Sequence, residues 1–205
     1  MVQDRILRTR WDWGVELARH LSSSLSFTAV KLVYTGATES TKQAIFLLKQ
    51  WRLSMKKKQK HMRMHALKPF VLELLALRAY QDLKEHRRPF AKPRCHKIFM
   101  RALELLDVTE VTWEDPCVID FEFLQLYAPA DWQGIAFDCA HVEAHCRLPL
   151  HIVNPFTPNL DVLQGIHRRV VYKWARLANH TLQRLEDPTT TAEEMFGEFW
   201  VGQVV

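Results

Sequence analysis

"AIFLLKQWRLSMKKKQKHMRMHALKPFVLELLALRAYQDL", residues 44–83, holds two apolar, helix-patterned segments separated by a dense run of cations. The first places Ile45, Leu48 and Trp51, followed by Leu53 or Met55, on one stripe of a helix predicted over about 40–55. Upstream, a break at Gly36 is followed by "TESTKQ", which supplies a Ser or Thr to cap that helix. The second segment opens at Pro69, which suits a first helical turn because it has no amide hydrogen to leave unpaired. Its buried stripe is predicted to be Leu72, Leu75, Ala76 and Ala79. On this reading the cationic run is largely the connection between two packed helices.

Residues 49–70 carry eight Lys and Arg and two His. Lys49 and Arg52 lie on the first helix, and Lys56, Lys57, Lys58, Lys60 and Arg63 follow. Two readings stay open. Charge runs are common on solvated surfaces, but cations from a helix and from the loop after it, Lys49, Arg52, Arg63 and Lys68, could converge on one phosphate-bearing ligand. "KKKQK" falls short of the basic density of a nuclear-localisation signal, and the two His of "HMRMH" have Lys and Arg neighbours that repel a metal ion.

The 205 residues are enough to bury a sizeable core. Apolar residues make up 48% and charged residues 25%, a globular balance. No apolar run approaches the ~20 residues of a membrane span. The start, "MVQDRILRTRWDWGVELARH", lacks an apolar core and a small-residue cleavage site, so no secretory signal is expected. Cysteines at 95, 117, 139 and 146 lack the spacing of a disulfide framework, which points to a reducing compartment, cytoplasm or nucleus. The 28 Lys and Arg against 23 Asp and Glu give +5, and the excess is clustered between Lys49 and Arg101, while acids gather in "LELLDVTEVTWEDPCVIDFEF". One face should be electropositive, a place for phosphates.

Further out, "WDWGVELARHL" (11–21) predicts a short amphipathic helix through Trp13, Leu17 and Leu21, and Ile98, Leu103 and Leu106 mark another over about 94–106. From residue 108 the β-branched and aromatic content rises, and "LPLHIVNPFTP" (148–158) reads as a short strand ending in a proline-bounded turn. Residues 161–185 return to helical period, with Asp161 as candidate N-cap and Val162, Ile166, Val170, Trp174, Leu177 and Leu185 near one stripe. The expected fold is mainly α with a small β component.

No phosphate-binding glycine loop, dinucleotide fingerprint, zinc-protease helix or nucleophile elbow is present in the sequence. "DCAHVEAHC" gathers Cys139, His141, His145 and Cys146, ligand types that suit zinc, but in neither ribbon nor finger spacing. A half-buried helix with ordinary Cys and His is the simpler reading. "DFEF" (120–123) has a D-x-E look, yet its alternation fits a half-exposed strand.

The stretch quoted first resembles the C-terminal helical half of the 2'-5'-oligoadenylate synthetases, nucleotidyltransferases whose segment reads like L-I-R-L-V-K-H-W-Y, a Lys-rich link, then P-P-Q-Y-A-L-E-L-L-T-V-Y-A-W-E. Lys49 and Trp51 match the Lys and Trp of K-H-W, and Leu72, Glu73, Leu74, Leu75 and Tyr80 match the second helix. Downstream, "LPLHIVNPFTPNLDV" (148–162) is similar to the family's R-P-V-I-L-D-P-A-D-P-T-N-N-V strand and turn, and the likeness covers roughly residues 25–185. It implies a helical lobe that binds nucleotide and double-stranded RNA in antiviral RNA sensing, within an enzyme that polymerises ATP into 2'-5'-linked oligoadenylate with two metal ions, Mg in that family. Lys49 would contact nucleotide phosphate, and Phe70 would stack on the base without the phenolic hydroxyl. Arg52, Lys56, Lys57, Lys58, Lys60 and Arg63 would meet RNA phosphates.

Departures accompany the likeness. Phe46 stands where the family has Arg, Pro69 where it has Gln, and Asn154 and Thr157 replace both aspartates of the turn. The family's metal-binding carboxylates sit in an N-terminal sheet on a G-S plus D-x-D pattern that this sequence lacks, and Asp12, Asp115, Asp120 and Glu122 do not replace them. The expectation is therefore no catalytic residue, no metal and no cofactor in this chain alone, and no polymerisation of ATP without a separate catalytic lobe. The expected organisation is a helical segment at 1–24, the helical domain at 25–187 and a tail at 188–205. Apolar residues around Trp11, Trp13 and Phe27 would meet the missing lobe or a second copy. A competing reading is a non-catalytic helical interaction domain whose basic patch meets an acidic protein.

Overall fold

The computed structural model describes residues 37–58, 67–85, 92–121, 148–155, 157–164 and 166–187. These form helices α1 (Glu39–Lys58), α2 (Pro69–Glu85), α3 (Cys95–Leu106) and α4 (Arg168–Glu186), with strands β1 (Cys117–Ile119), β2 (Leu150–Asn154) and β3 (Thr157–Asp161). The fold is mainly helical with a small sheet, as the periodicities predict. The predicted helix at 11–21, the tail beyond 187 and the "DCAHVEAHC" segment lie outside the described residues.

Thr38 caps α1. Its Oγ1 accepts from the Thr41 amide at 3.3 Å, so one of the helix's unpaired amides is satisfied. Ile45, Leu48 and Trp51 face inward and are buried, Met55 packs against the core, and Leu53 is 43% exposed, which settles the choice between the last two. The helix runs on to Lys58. Lys56, Lys57 and Lys58 therefore belong to its last turn rather than to the connection, a correction with a simple cause: lysine is a good helix former, no Gly or Pro intervenes, and cations suit a helix C-terminus.

Helix α2 begins at Pro69 and buries Leu72, Leu75, Ala76 and Ala79 as predicted, together with Val71, Leu74 and Asp82. Helix α3 buries Ile98, Phe99, Ala102, Leu103 and Leu106 and packs against α1, α2 and α4, which makes it the centre of the bundle. Asp82 accepts from Arg78 at 2.8 Å and from Arg101 on α3 at 2.9 Å, and Arg78 reaches on to Asp120 just after β1 at 2.9 Å. A buried carboxylate held by two guanidinium groups thus ties α2 to α3 and to the sheet.

The sheet has the order β1-β2-β3. Strands β1 and β2 are parallel, with Cys117 opposite Leu150 and Ile119 opposite Ile152, while β2 and β3 are antiparallel with a register shift between Val153 and Asn154. As the central strand, β2 buries Leu150, His151, Ile152 and Val153 in succession. The proline-bounded turn is real but continues into β3, a strand the turn residues conceal.

Asp161 ends β3 instead of capping a helix. Its carboxylate is hydrogen-bonded to His151 Nδ1 at 2.7 Å and accepts from the amides of Ile152 at 3.1 Å and Leu163 at 2.8 Å. With three partners inside the core, it has no reason to reach a helix terminus. His167 caps α4 in its place, its Nδ1 accepting from the Arg169 amide at 3.2 Å. Val170 and Trp174 are buried, and Val162, Ile166, Leu177 and Leu185 are partly buried against the core, so the predicted stripe stands although its first two members precede the helix.

Asp161→Ala takes an acceptor from a buried His and from two backbone amides, so it is expected to lower the unfolding free energy by about 3 kcal/mol or more. Denaturant unfolding measures it; a loss of only about 1 kcal/mol is what removal of a helix cap would give and would return Asp161 to that role.

Candidate phosphate-binding site

At the polar edge of the packing between α1 and α2 lies an ion pair, Lys49 Nζ to Glu73 Oε1 at 2.6 Å, with the two side chains 37% and 16% exposed. Both residues sit on helices whose apolar stripes are locked into the core, so the pair forms where the two polar flanks meet. Arg52 lies one turn along α1 from Lys49, and Phe70 lies one turn before Glu73 in the first turn of α2. Three sequence-predicted residues, Lys49, Arg52 and Phe70, thus stand within one helical turn of a single helix-to-helix contact.

Arg52 is the unusual member. Its Nε is buried and has no hydrogen-bond acceptor among the described residues. Burial pushes the guanidinium pKa below its ordinary value, because the charged form loses hydration. A buried donor left without an acceptor is costly. A phosphate oxygen would supply what is missing, since the guanidinium fork matches phosphate geometry and binds it in two parallel hydrogen bonds. Lys49, partly exposed beside it, adds a second positive charge, although one that Glu73 already engages. Phe70 packs partly against the core and is half-buried.

The remaining predicted contacts distribute as follows. Lys56, Lys57 and Lys58 lie in the last turn of α1, and Lys68 is exposed immediately before α2. Lys60 and Arg63 lie outside the described residues, as do His61, His65, Cys139, His141, His145, Cys146, Glu122, Trp11, Trp13 and Phe27. Among the described residues, no group of three or more His, Cys, Asp or Glu is gathered to hold a metal ion, and Asp120 is engaged with Arg78. No helix among the described residues is long and apolar enough to cross a membrane.

Two features escaped the pattern reading. The pairing of Glu73 with Lys49 has no local signal, since the partners lie 24 positions apart on different helices. The buried His151 and Asp161 pair had a weak one: a His and an Asp flanking a proline-bounded turn within a strand-like stretch.

Comparison with protein-family models, with curated proteins and with solved structures finds no match to this chain.

Cys117, free and half-buried at the start of β1, offers a pH readout of the same packing. Burial raises its thiol pKa above 9.0, and the opposing charge of Arg101 is the lesser influence. The folded chain then holds a proton that the unfolded chain releases, so this contribution to stability is present below 9.0 and is lost as pH rises through the raised value. Between about pH 7 and 9, iodoacetamide is expected to label Cys117 more slowly in the native protein than in urea, as read by peptide mapping. Equal rates would contradict the burial.

Proposed function

We propose that this chain is the nucleotide- and double-stranded-RNA-binding helical lobe of an oligoadenylate-synthetase-like protein, serving antiviral RNA sensing in the cytoplasm and not polymerising ATP by itself. The observation that carries the reading is the buried Nε of Arg52, a cationic donor without an acceptor among the described residues, one turn from Lys49. A triphosphate or a nucleic-acid backbone is the ligand chemistry that fits such a donor beside a lysine.

The arrangement of the three sequence anchors supports the same reading. Lys49 of the first pairs with Glu73 of the second, and the hairpin of β2 and β3 leads into α4, which receives the Trp51 indole at Thr181. A phosphate entering beside Lys49 meets Glu73 as a competitor, and its larger charge draws the lysine across. Phe70, one turn away, would lie alongside the base of a bound nucleotide. ATP, with the Mg that accompanies it in the resembled family, and an RNA duplex are the proposed partners.

The test is binding of a labelled RNA duplex of about 16 base pairs, the span of a double-stranded-RNA-binding fold, across a salt series. Affinity is expected to fall steeply with salt, and the Lys56→Glu, Lys57→Glu, Lys58→Glu variant to lose about tenfold or more at low salt. Arg52→Met should weaken ATP binding while the melting temperature holds or rises, because it removes a buried unpaired donor. Equal affinity for single strands and heparin would overturn the reading in favour of an acidic protein partner.

A further inference from the structure

The outer side of α4 is a basic ridge that the sequence pattern did not single out. Arg169, Lys173, Arg176 and His180 are all exposed and follow one another at four, three and four residues, a single stripe along the helix. The opposite stripe, Val170, Trp174, Ala178 and Thr181, is buried in the core. Arg168, also exposed, adds charge at the start, and Glu186, the last residue, is the one acid in the helix.

Elsewhere the described helices neutralise many of their cations. Lys49 pairs with Glu73, Arg78 with Asp82 and Asp120, and Arg101 with Asp82 and Glu104. On α4 no ion pair to Arg168, Arg169, Lys173 or Arg176 occurs among the described residues. The arrangement also works against the helix itself. Like charges three and four residues apart repel, and two arginines in a first turn that lacks any acid sit at the positive end of the helix dipole. Local stability does not account for the ridge, whereas an external anion would relieve both penalties.

The kind of anion follows from what the ridge lacks. Protein interfaces centre on aromatic or aliphatic anchors and are depleted in Lys, yet the exposed side chains of α4 are Arg, Lys, His, Gln and Glu. Single strands bind by stacking on aromatic platforms. The aromatics of α4 are committed elsewhere: Trp174 is buried, and Tyr172 is half-buried with its hydroxyl donating to the Val111 carbonyl at 3.1 Å. From Arg169 to Arg176 the cations extend about 10 Å at 1.5 Å per residue, with His180 one turn further on, a row suited to successive phosphates of a regular backbone.

We infer that the outer face of α4 is a docking ridge for double-stranded nucleic acid, gripping the phosphate backbone without reading the bases. It uses none of the residues of the α1 and α2 site and does not rest on the family resemblance.

The experiment is fluorescence anisotropy of the full chain with DNA and RNA duplexes of unrelated sequence, repeated with Arg169→Glu, Lys173→Glu, Arg176→Glu and with the separate Lys56→Glu, Lys57→Glu, Lys58→Glu variant. The wild type should bind unrelated sequences alike. The α4 variant should lose about tenfold or more in affinity, and the slope of log affinity against log salt should flatten by about 0.9 for each phosphate contact removed. All three positions are exposed, and the acid at 169 falls in the first turn, where it suits the helix, so that variant should fold, as circular dichroism will show; Gln in place of Glu at the same three positions keeps the test available if it does not. Unchanged binding by a folded α4 variant, or equal or tighter binding of single strands or heparin by the wild type, would overturn the ridge. Loss confined to the Lys56 to Lys58 variant would overturn it while leaving the α1 and α2 site standing, and loss confined to the α4 variant would do the reverse.

Discussion

Everything in the described core turns on where the Trp51 indole goes. It is fully buried, and its N–H must find an acceptor there. Thr181 Oγ1, 130 positions away on α4, provides one at 2.9 Å. That hydroxyl donates its single proton to the Leu177 carbonyl at 2.7 Å, which leaves a lone pair for the indole. Trp51 also meets the edge of Trp174, with ring centroids 5.5 Å apart and an interplanar angle of 62°. One aromatic pair and one hydrogen bond therefore join the first described helix to the last, with α3 packed against both.

That contact fixes how the two helices are rotated, and rotation decides which polar residues face what. With Trp51 turned inward, Lys49 falls on the flank that meets Glu73, and Arg52 is drawn partly under cover. With Trp174 turned inward, Arg169, Lys173 and Arg176 are left facing solvent. The chain's net charge of +5 is accordingly uneven. Around Asp82 the charges cancel within a tight network of α2, α3 and the residue after β1, whereas among the described residues Arg52 on α1 has an Nε without an acceptor, and Arg169, Lys173 and Arg176 on α4 make no ion pair.

The helices were legible because their buried stripes recur at helical spacing: Ile45, Leu48 and Trp51 on α1, Leu72, Leu75, Ala76 and Ala79 on α2, and Val170 and Trp174 on α4 all occupy the core. What pattern could not reach was governed by partners distant in sequence. Asp161 has the composition of a helix cap, but His151 and two backbone amides claim it first. Thr157 to Asp161 looks like turn and cap, and becomes a strand because β2 offers an edge to pair with. Lys56 to Lys58 read as a loop because a charge run looks solvated, although nothing in it stops a helix. At the candidate site the cationic residues could be named from sequence, but the pairing of Lys49 and the burial of Arg52 Nε are tertiary facts.

The central claim is that Arg52 holds a donor waiting for a phosphate oxygen, and its own Nε–H reports on it. In a heteronuclear correlation spectrum of the uniformly labelled chain, the Arg52 Nε–H cross-peak, assigned with an Arg52→Lys variant, is followed while sodium triphosphate is added. A saturable downfield shift of that proton, with amide changes centred on Lys49, Phe70 and Glu73, is the predicted result. A cross-peak that stays in place while other arginines move would show that anions bind elsewhere and that the unpaired donor is not their site.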